Sequence, residues 1–182
     1  MLVYEKGSEI FVFIHVPKTA GKTIRDQIKQ DSENRIIEDH WGVVGHLDSA
    51  HIPYRLCTQY AHARFFAYVR NPYDRLISAF FYLNPDSTIH DFKRFVAHDL
   101  SLLDFNSEYC TTYIHYYPQY TFVTDEYSSI PDNINVYILE DNLVPPTYNL
   151  KDYFDEVGLD QVNRIYKMDF LLFGYIPLLT FY

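Results

Sequence analysis

Residues 10–16 (IFVFIHV) form an unbroken apolar run rich in β-branched and aromatic side chains, the pattern of a strand buried on both faces. Pro17 ends it. Residues 18–30 (KTAGKTIRDQIKQ) then carry Ile24 and Ile28 at i, i+4, which predicts an amphipathic helix opening near Gly21. The same strand, loop and helix recur at residues 65–83, where FFAYV is followed by Arg70, Asn71 and Pro72 and then by DRLISAFFYL, with Pro72 placed as a first-turn proline. A third β-rich run, residues 134–139 (INVYIL), leads into Glu140 and Asp141. Three such strands separated by helical segments predict an α/β fold with a mainly parallel central sheet flanked by helices.

Between the first two units, residues 39–60 hold Trp41, two glycines and several histidines, and read as loop plus a short helix. Residues 84–130 read as helical and irregular, residues 144–147 (VPPT) as a turn, and residues 150–173 as two short helices. No linker interrupts the pattern, so residues 1–182 are expected to form one domain.

Composition narrows the function. Apolar residues make up 48% of the chain and charged residues 21%, enough for a sizeable core. The formal charge of −9 argues against nucleic acid or an anionic membrane as partner. That charge is unevenly spread: residues 1–94 hold twelve basic and eleven acidic side chains, residues 95–182 three and thirteen. An anionic ligand therefore belongs to the first half. Cys57 and Cys110 have neither disulfide-framework nor metal-ligand spacing and are expected to be free thiols of a reducing compartment. No apolar run reaches the roughly 20 residues that span a bilayer, so no membrane insertion is expected. Nor does Glu140 with Asp141 belong to any His/Cys/Asp cluster of ligand spacing, so no metal is expected.

Two constellations carry candidate chemistry. In the first, Pro17, Lys18, Thr19, Ala20, Gly21, Lys22 and Thr23 link a buried strand to a helix N-terminus. Backbone N–H groups, the positive end of the helix macrodipole, two lysines and two hydroxyls then suit a phosphate or sulfate. Gly21, Lys22 and Thr23 supply the end of the nucleotide motif G-x-x-x-x-G-K-[ST], but Val16 stands where its first glycine belongs. In the second, residues 69–78 (VRNPYDRLIS) put Arg70 at a strand end, able to offer a bidentate fork to phosphate, and Ser78 on the following helix.

The segment PKTAGKT resembles the 5′-phosphosulfate loop of sulfotransferases that use 3′-phosphoadenosine 5′-phosphosulfate (PAPS). The likeness is to the carbohydrate branch typified by heparan sulfate 2-O-sulfotransferases, with Lys22 departing from that branch's small hydroxyl residue. VRNPYDRLIS matches every position of the family's 3′-phosphate motif, V-R-[ND]-P-x-x-R-x-x-S. Residues 115–119 (HYYPQ), 136–143 (VYILEDNL) and 165–175 (IYKMDFLLFGY) resemble later family segments, so the likeness runs from about residue 10 to residue 175.

The resemblance implies a P-loop-like three-layer fold and transfer of a sulfuryl group from PAPS, without a metal, to a hydroxyl on a glycan or small hydroxylated acceptor. Adenosine 3′,5′-bisphosphate is then the product. Residues 17–23 with Arg70 and Ser78 would hold the donor, and Lys18 would neutralise the leaving oxygen. His46 is the first candidate for the base, because an imidazole of pKa about 6.5 suits proton abstraction near neutrality and a Gly-His pair between the two donor motifs resembles the 2-O-sulfotransferase group. His51, Asp48 and His40 are rivals. His40, His51 and His115 are otherwise expected in caps or core contacts, Trp41 in the core, and Arg75 in a structural pairing. The acidic second half favours a neutral or weakly charged acceptor over a polyanion. With no membrane anchor in these residues, a soluble bacterial or viral cytoplasmic protein, or a trimmed Golgi-lumenal domain, is expected. A small-molecule or sugar kinase using Lys22 and Thr23, and a non-catalytic glycan-binding module, remain the alternatives.

Overall fold

The computed structural model describes residues 1–44, 47–105, 113–143, 145 and 147–181. Strands β1 (Leu2–Lys6) and β2 (Glu9–Ile14) form a hairpin whose tight turn begins at Gly7, where φ is 64°. Helix α1 (Gly21–Gln30) follows, then β3 (Asn34–Asp39) and the two-residue strands β4 (Val43–Val44) and β5 (Leu47–Asp48), which pair with each other. Further along come β6 (Arg64–Val69), α2 (Pro72–Leu83), α3 (Ile89–Arg94) and the short α4 (Tyr120–Val123). The chain then forms β7 (Ile134–Ile138), α5 (Leu139–Asn142), α6 (Leu150–Tyr153), α7 (Glu156–Ile165) and α8 (Lys167–Phe173).

The main sheet has five strands in the order β3-β1-β2-β6-β7. β2, β6 and β7, the three strands predicted from the sequence, run parallel to one another; β1 pairs antiparallel with both β2 and β3, so β3 points the same way as those three. The sheet is therefore mixed, with β1 alone running against the other four strands. Both added strands evade the apolar-run criterion: β3 (NRIIED) alternates half-buried and exposed positions as an edge strand, and β1 is a short run at the start of the chain.

Helices flank both faces. Ile24 and Ile28 of α1 pack on Leu2, Tyr4 and Phe13, while Phe122 and Val123 of α4 pack with Val12, Ile14 and Phe65 on the opposite face. A separate cluster joins Tyr73, Leu76 and Phe80 of α2 to Leu159, Val162, Tyr166 and Phe170 of α7 and α8. The carboxyl ends of β2, β6 and β7 therefore open at one edge. There the chain leaves β2 for α1 and β3 on one side while β6 lies on the other, the arrangement that leaves a crevice in open α/β sheets. Among the described residues no helix is long and apolar enough to cross a membrane.

Candidate functional site

The loop after β2 is built on two left-handed residues that are not glycine, Lys18 (φ 66°) and Ala20 (φ 59°). Such conformations cost of order 1–2 kcal/mol each and line up successive N–H groups as an anion-binding concavity. Thr19 lies between them, buried, with its hydroxyl donating to the Val16 carbonyl at 2.9 Å. Its side chain therefore locks the loop and does not face a ligand, contrary to the expectation from sequence. The first helical hydrogen bond of α1 runs from the Ile24 N–H to the Ala20 carbonyl at 3.1 Å. Among the described residues the N–H groups of residues 18–23 have no acceptor within the chain, as the first turn of a helix requires.

Gly21 has a steric reason to be glycine. A Cβ there would fall 1.8 Å from the His15 ring, so this position lets the helix start close directly over the imidazole.

The second motif sits across the crevice. α2 begins as the sequence predicts, with Asn71 capping the N–H groups of Tyr73 and Asp74 and Pro72 in the first turn. The Arg70 guanidinium donates to Thr147 Oγ1 at 2.8 Å and lies 5.8 Å from the centre of the Tyr148 ring. Among the described residues no carboxylate lies within ion-pair distance of Lys18, Lys22 or Arg70. Arg75 is fully buried and donates to the carbonyls of His115 and Tyr117 at 2.9 and 2.6 Å, which is the structural part expected of it, played on peptide groups instead of a carboxylate.

Both motifs face one cavity of about 560 Å³, within the roughly 300–1,000 Å³ of small-molecule sites. Lys18, Ala20, Gly21, Lys22 and Thr23 line one wall, and Arg70 and Ser78 another. The Lys18 ammonium rests 3.9 Å from the centre of the Tyr82 ring. Burial, and then the Arg70 charge, hold its pKa below the ordinary lysine value. A cationic hollow has been made in an acidic protein.

Three histidines form the floor. The rings of His15 and His51 are 4.4 Å apart and those of His51 and His115 are 5.3 Å apart, and all three line the cavity. Burial lowers their pKa values, that of His51 to about 4 and that of His115 to about 3, so all three are neutral near pH 7. His51 Nδ1 lies 2.7 Å from the His15 carbonyl, an acceptor, so Nδ1 carries the proton and Nε2 the lone pair. Asp48 stands 3.9 Å from that Nε2. His51 and His115, expected in caps or core, are thus cavity residues, whereas His40 is spent on Glu38 at 2.5 Å. His46 and Cys110 lie outside the described residues.

Comparison of the chain with protein-family models, with curated proteins and with solved structures found no match. The chemistry of the site therefore rests on its own geometry. Two groups of anion donors, the loop N–H groups with Lys18 and Lys22 and, across the cavity, Arg70 with Ser78, suit a ligand that carries two anionic groups.

Trp41 departs furthest from expectation: it is 62% exposed and lines the cavity rim. Sequence reasoning also missed the residues that hold Arg70. Buried Gln119 brackets the Arg70 peptide groups, and Glu140 accepts the Asn71 N–H at 2.7 Å and the Tyr175 hydroxyl at 2.9 Å. Their signal lay in the three later segments, HYYPQ, VYILEDNL and IYKMDFLLFGY, each of which supplies one of these supports or Asp169 beneath them. Among the described residues no group of three or more His, Cys, Asp or Glu side chains is placed to hold a metal ion.

Proposed function

We propose that this chain is a sulfotransferase of P-loop-like fold that moves the sulfuryl group of PAPS to a hydroxyl on a carbohydrate or small hydroxylated acceptor. The observation that carries the reading is the convergence of the 17–23 loop and the Arg70–Ser78 motif, about fifty residues apart in sequence, on one cavity. PAPS carries two anionic groups, a phosphosulfate on the 5′ and a phosphate on the 3′ position of its ribose, one for each of those two walls.

In this reading the N–H groups of residues 18–23 and Lys22 hold the 5′-phosphosulfate, and Arg70 with Ser78 holds the 3′-phosphate. Lys18 neutralises charge on the bridging oxygen as the S–O bond to phosphate breaks. The acceptor oxygen forms the new S–O bond in line with the leaving group, and its proton passes to an imidazole. Among the described residues His51 fits that role best on geometry: its Nδ1–H is fixed on a carbonyl, its Nε2 lone pair is free, and Asp48 would stabilise the imidazolium against the burial that lowers its pKa to about 4. Adenosine 3′,5′-bisphosphate leaves.

Release of adenosine 3′,5′-bisphosphate from PAPS in the presence of a panel of glycosides tests the reading. Turnover in the wild type, abolished or sharply reduced in Lys18→Ala and in Arg70→Ala, is expected. Wild-type kinetics in both variants would overturn it, and phosphorylation of the panel with ATP and magnesium instead would establish the kinase alternative.

A further inference from the structure

Trp41 is the only tryptophan of the chain, and the fold holds it at a cavity rim and not in the core. Its setting is rigid. The Arg25 guanidinium lies 4.9 Å from its ring centre, and Arg25 is itself 2% exposed, with its donors committed to Asp39 and to the carbonyls of Met1 (3.1 Å) and His40 (3.0 Å). The His15 ring, nearly parallel at 19°, lies 6.1 Å away. An indole seated on a buried arginine and still largely open to solvent is a preformed flat surface.

Trp41 also joins two hollows. It lines the main cavity and, with Lys22, a second one of about 360 Å³ whose other walls are Arg25, Asp26, Lys29 and Asp39. Arg25 and Lys29 both pair with Asp39, so among the described residues Lys22 is the cation there without an ion pair. Every wall but the indole is charged. A ligand filling this hollow therefore needs one apolar face and a polar edge, which describes a pyranose ring better than a phenol or a lipid; three cations facing the carboxylates of Asp26 and Asp39, with Lys22 shared with the donor loop, suit a neutral or singly charged sugar better than a polyanion.

Position separates this surface from the donor. Arg70 is flanked by Thr147 and Tyr148, whereas Trp41 is flanked by His15, whose ring touches His51, so the indole and His51 lie within about two sugar-ring diameters of one another. We propose that Trp41 is the acceptor platform, stacking the apolar face of a neutral or singly charged pyranoside, with the charged walls of the second hollow at its polar edge and a ring hydroxyl directed toward His51. This assignment rests on the sulfuryl-transfer reading for its chemistry, but the binding step can be read without it.

Because the chain has one tryptophan, intrinsic fluorescence reports on the platform directly. Methyl β-glucopyranoside, methyl β-galactopyranoside, methyl β-glucuronide, p-cresol and adenosine 3′,5′-bisphosphate are titrated separately into the wild type. At least one pyranoside should give a saturable change at millimolar concentration. By ligand-observed NMR, Trp41→Ala should weaken that pyranoside at least about tenfold, a loss of about 1.4 kcal/mol, with bisphosphate affinity held within about twofold. Trp41→Phe, which keeps a flat face on Arg25, should recover part of the loss and guards against misfolding. No response to any pyranoside, a response to p-cresol in their place, or a Trp41→Ala variant that loses the bisphosphate would overturn the proposal. A wild type that binds the pyranoside but not the bisphosphate would support the platform and contradict the donor reading.

Discussion

The side-chain amide of Gln119 brackets Arg70, accepting its N–H at 2.8 Å and donating to its carbonyl at 2.8 Å. At the end of β6 it does what a neighbouring strand would do, and so fixes the direction in which the guanidinium leaves the sheet. Gln119 is held in turn: its own N–H donates to Asp169 at 2.9 Å, and the other oxygen of Asp169 accepts the Tyr120 N–H at 2.8 Å. Asp169 is fully buried, and burial raises its pKa to about 6 against the opposing pull of Arg75 and these hydrogen bonds. The geometry of one cavity cation thus depends on a helix near the end of the chain.

Gln119→Leu should therefore do two separable things. Stripping partners from two buried peptide groups should cost roughly 2–4 kcal/mol in urea denaturation. Well below the variant's melting temperature, calorimetry should show adenosine 3′,5′-bisphosphate losing its advantage over adenosine 5′-monophosphate. Retention of that advantage in a folded variant would show that Arg70 does not depend on the bracket.

Gly21→Ala tests the closeness of α1 to His15. The new methyl group would meet the ring at 1.8 Å, against a buried imidazole with little room to retreat. Overpacking of this kind costs about 1–3 kcal/mol, and the displaced loop should bind anions more weakly. Wild-type thermal stability and bisphosphate affinity together would contradict the contact.

The histidine floor makes stability depend on acid. In the folded state His51 titrates at about 4 and His115 at about 3, and His15 also lies well below its ordinary value, chiefly through burial; unfolded, all three return toward 6.5. Between those limits the unfolded chain binds more protons, so these groups contribute stability above pH 6.5 that is lost as the pH falls toward 4 and then 3. Asp169, raised to about 6, and Asp74, also raised by burial, work in the opposite direction, as two groups against three. Thermal unfolding from pH 7.5 to pH 4.5 should show a falling midpoint, and a His51→Gln variant should fall less steeply. A flat profile would mean the cluster is open to water.

What the sequence made legible follows a physical rule. β2, β6 and β7 were readable because each carries an unbroken or nearly unbroken run of β-branched and aromatic residues, although β7 is an edge strand that exposes Asn135 and Tyr137, and the start of α2 because Asn71 and Pro72 have local conformational roles. β3 was not, since an edge strand with one wet face alternates over too few residues to stand out. The meeting of residues 18–23 with Arg70 and Ser78 was an expectation from two motifs. That His115 would join them was not readable, and His51 stood only as a rival to His46, because nothing local distinguishes a cavity histidine from a capping one. Trp41 was misplaced for a related reason: the average tryptophan is buried, and only the tertiary position of Arg25 holds this one at a rim.

The identity of the base can be separated from donor binding. His51→Ala should lower turnover of PAPS by about 10²–10⁴-fold, the usual worth of a general base, with bisphosphate affinity unchanged. Undiminished turnover would pass the role to His46.

The most direct measurement is calorimetric titration with adenosine 3′,5′-bisphosphate, beside adenosine 5′-monophosphate and ATP with magnesium, for the wild type and Arg70→Ala. The account predicts that the wild type binds the bisphosphate at micromolar concentration and prefers it to the monophosphate. Arg70→Ala should lose about 10–100-fold in bisphosphate affinity, the worth of one to two charge-assisted hydrogen bonds, while binding the monophosphate as before. Bisphosphate affinity that is absent from the wild type, or indifferent to Arg70, would contradict it.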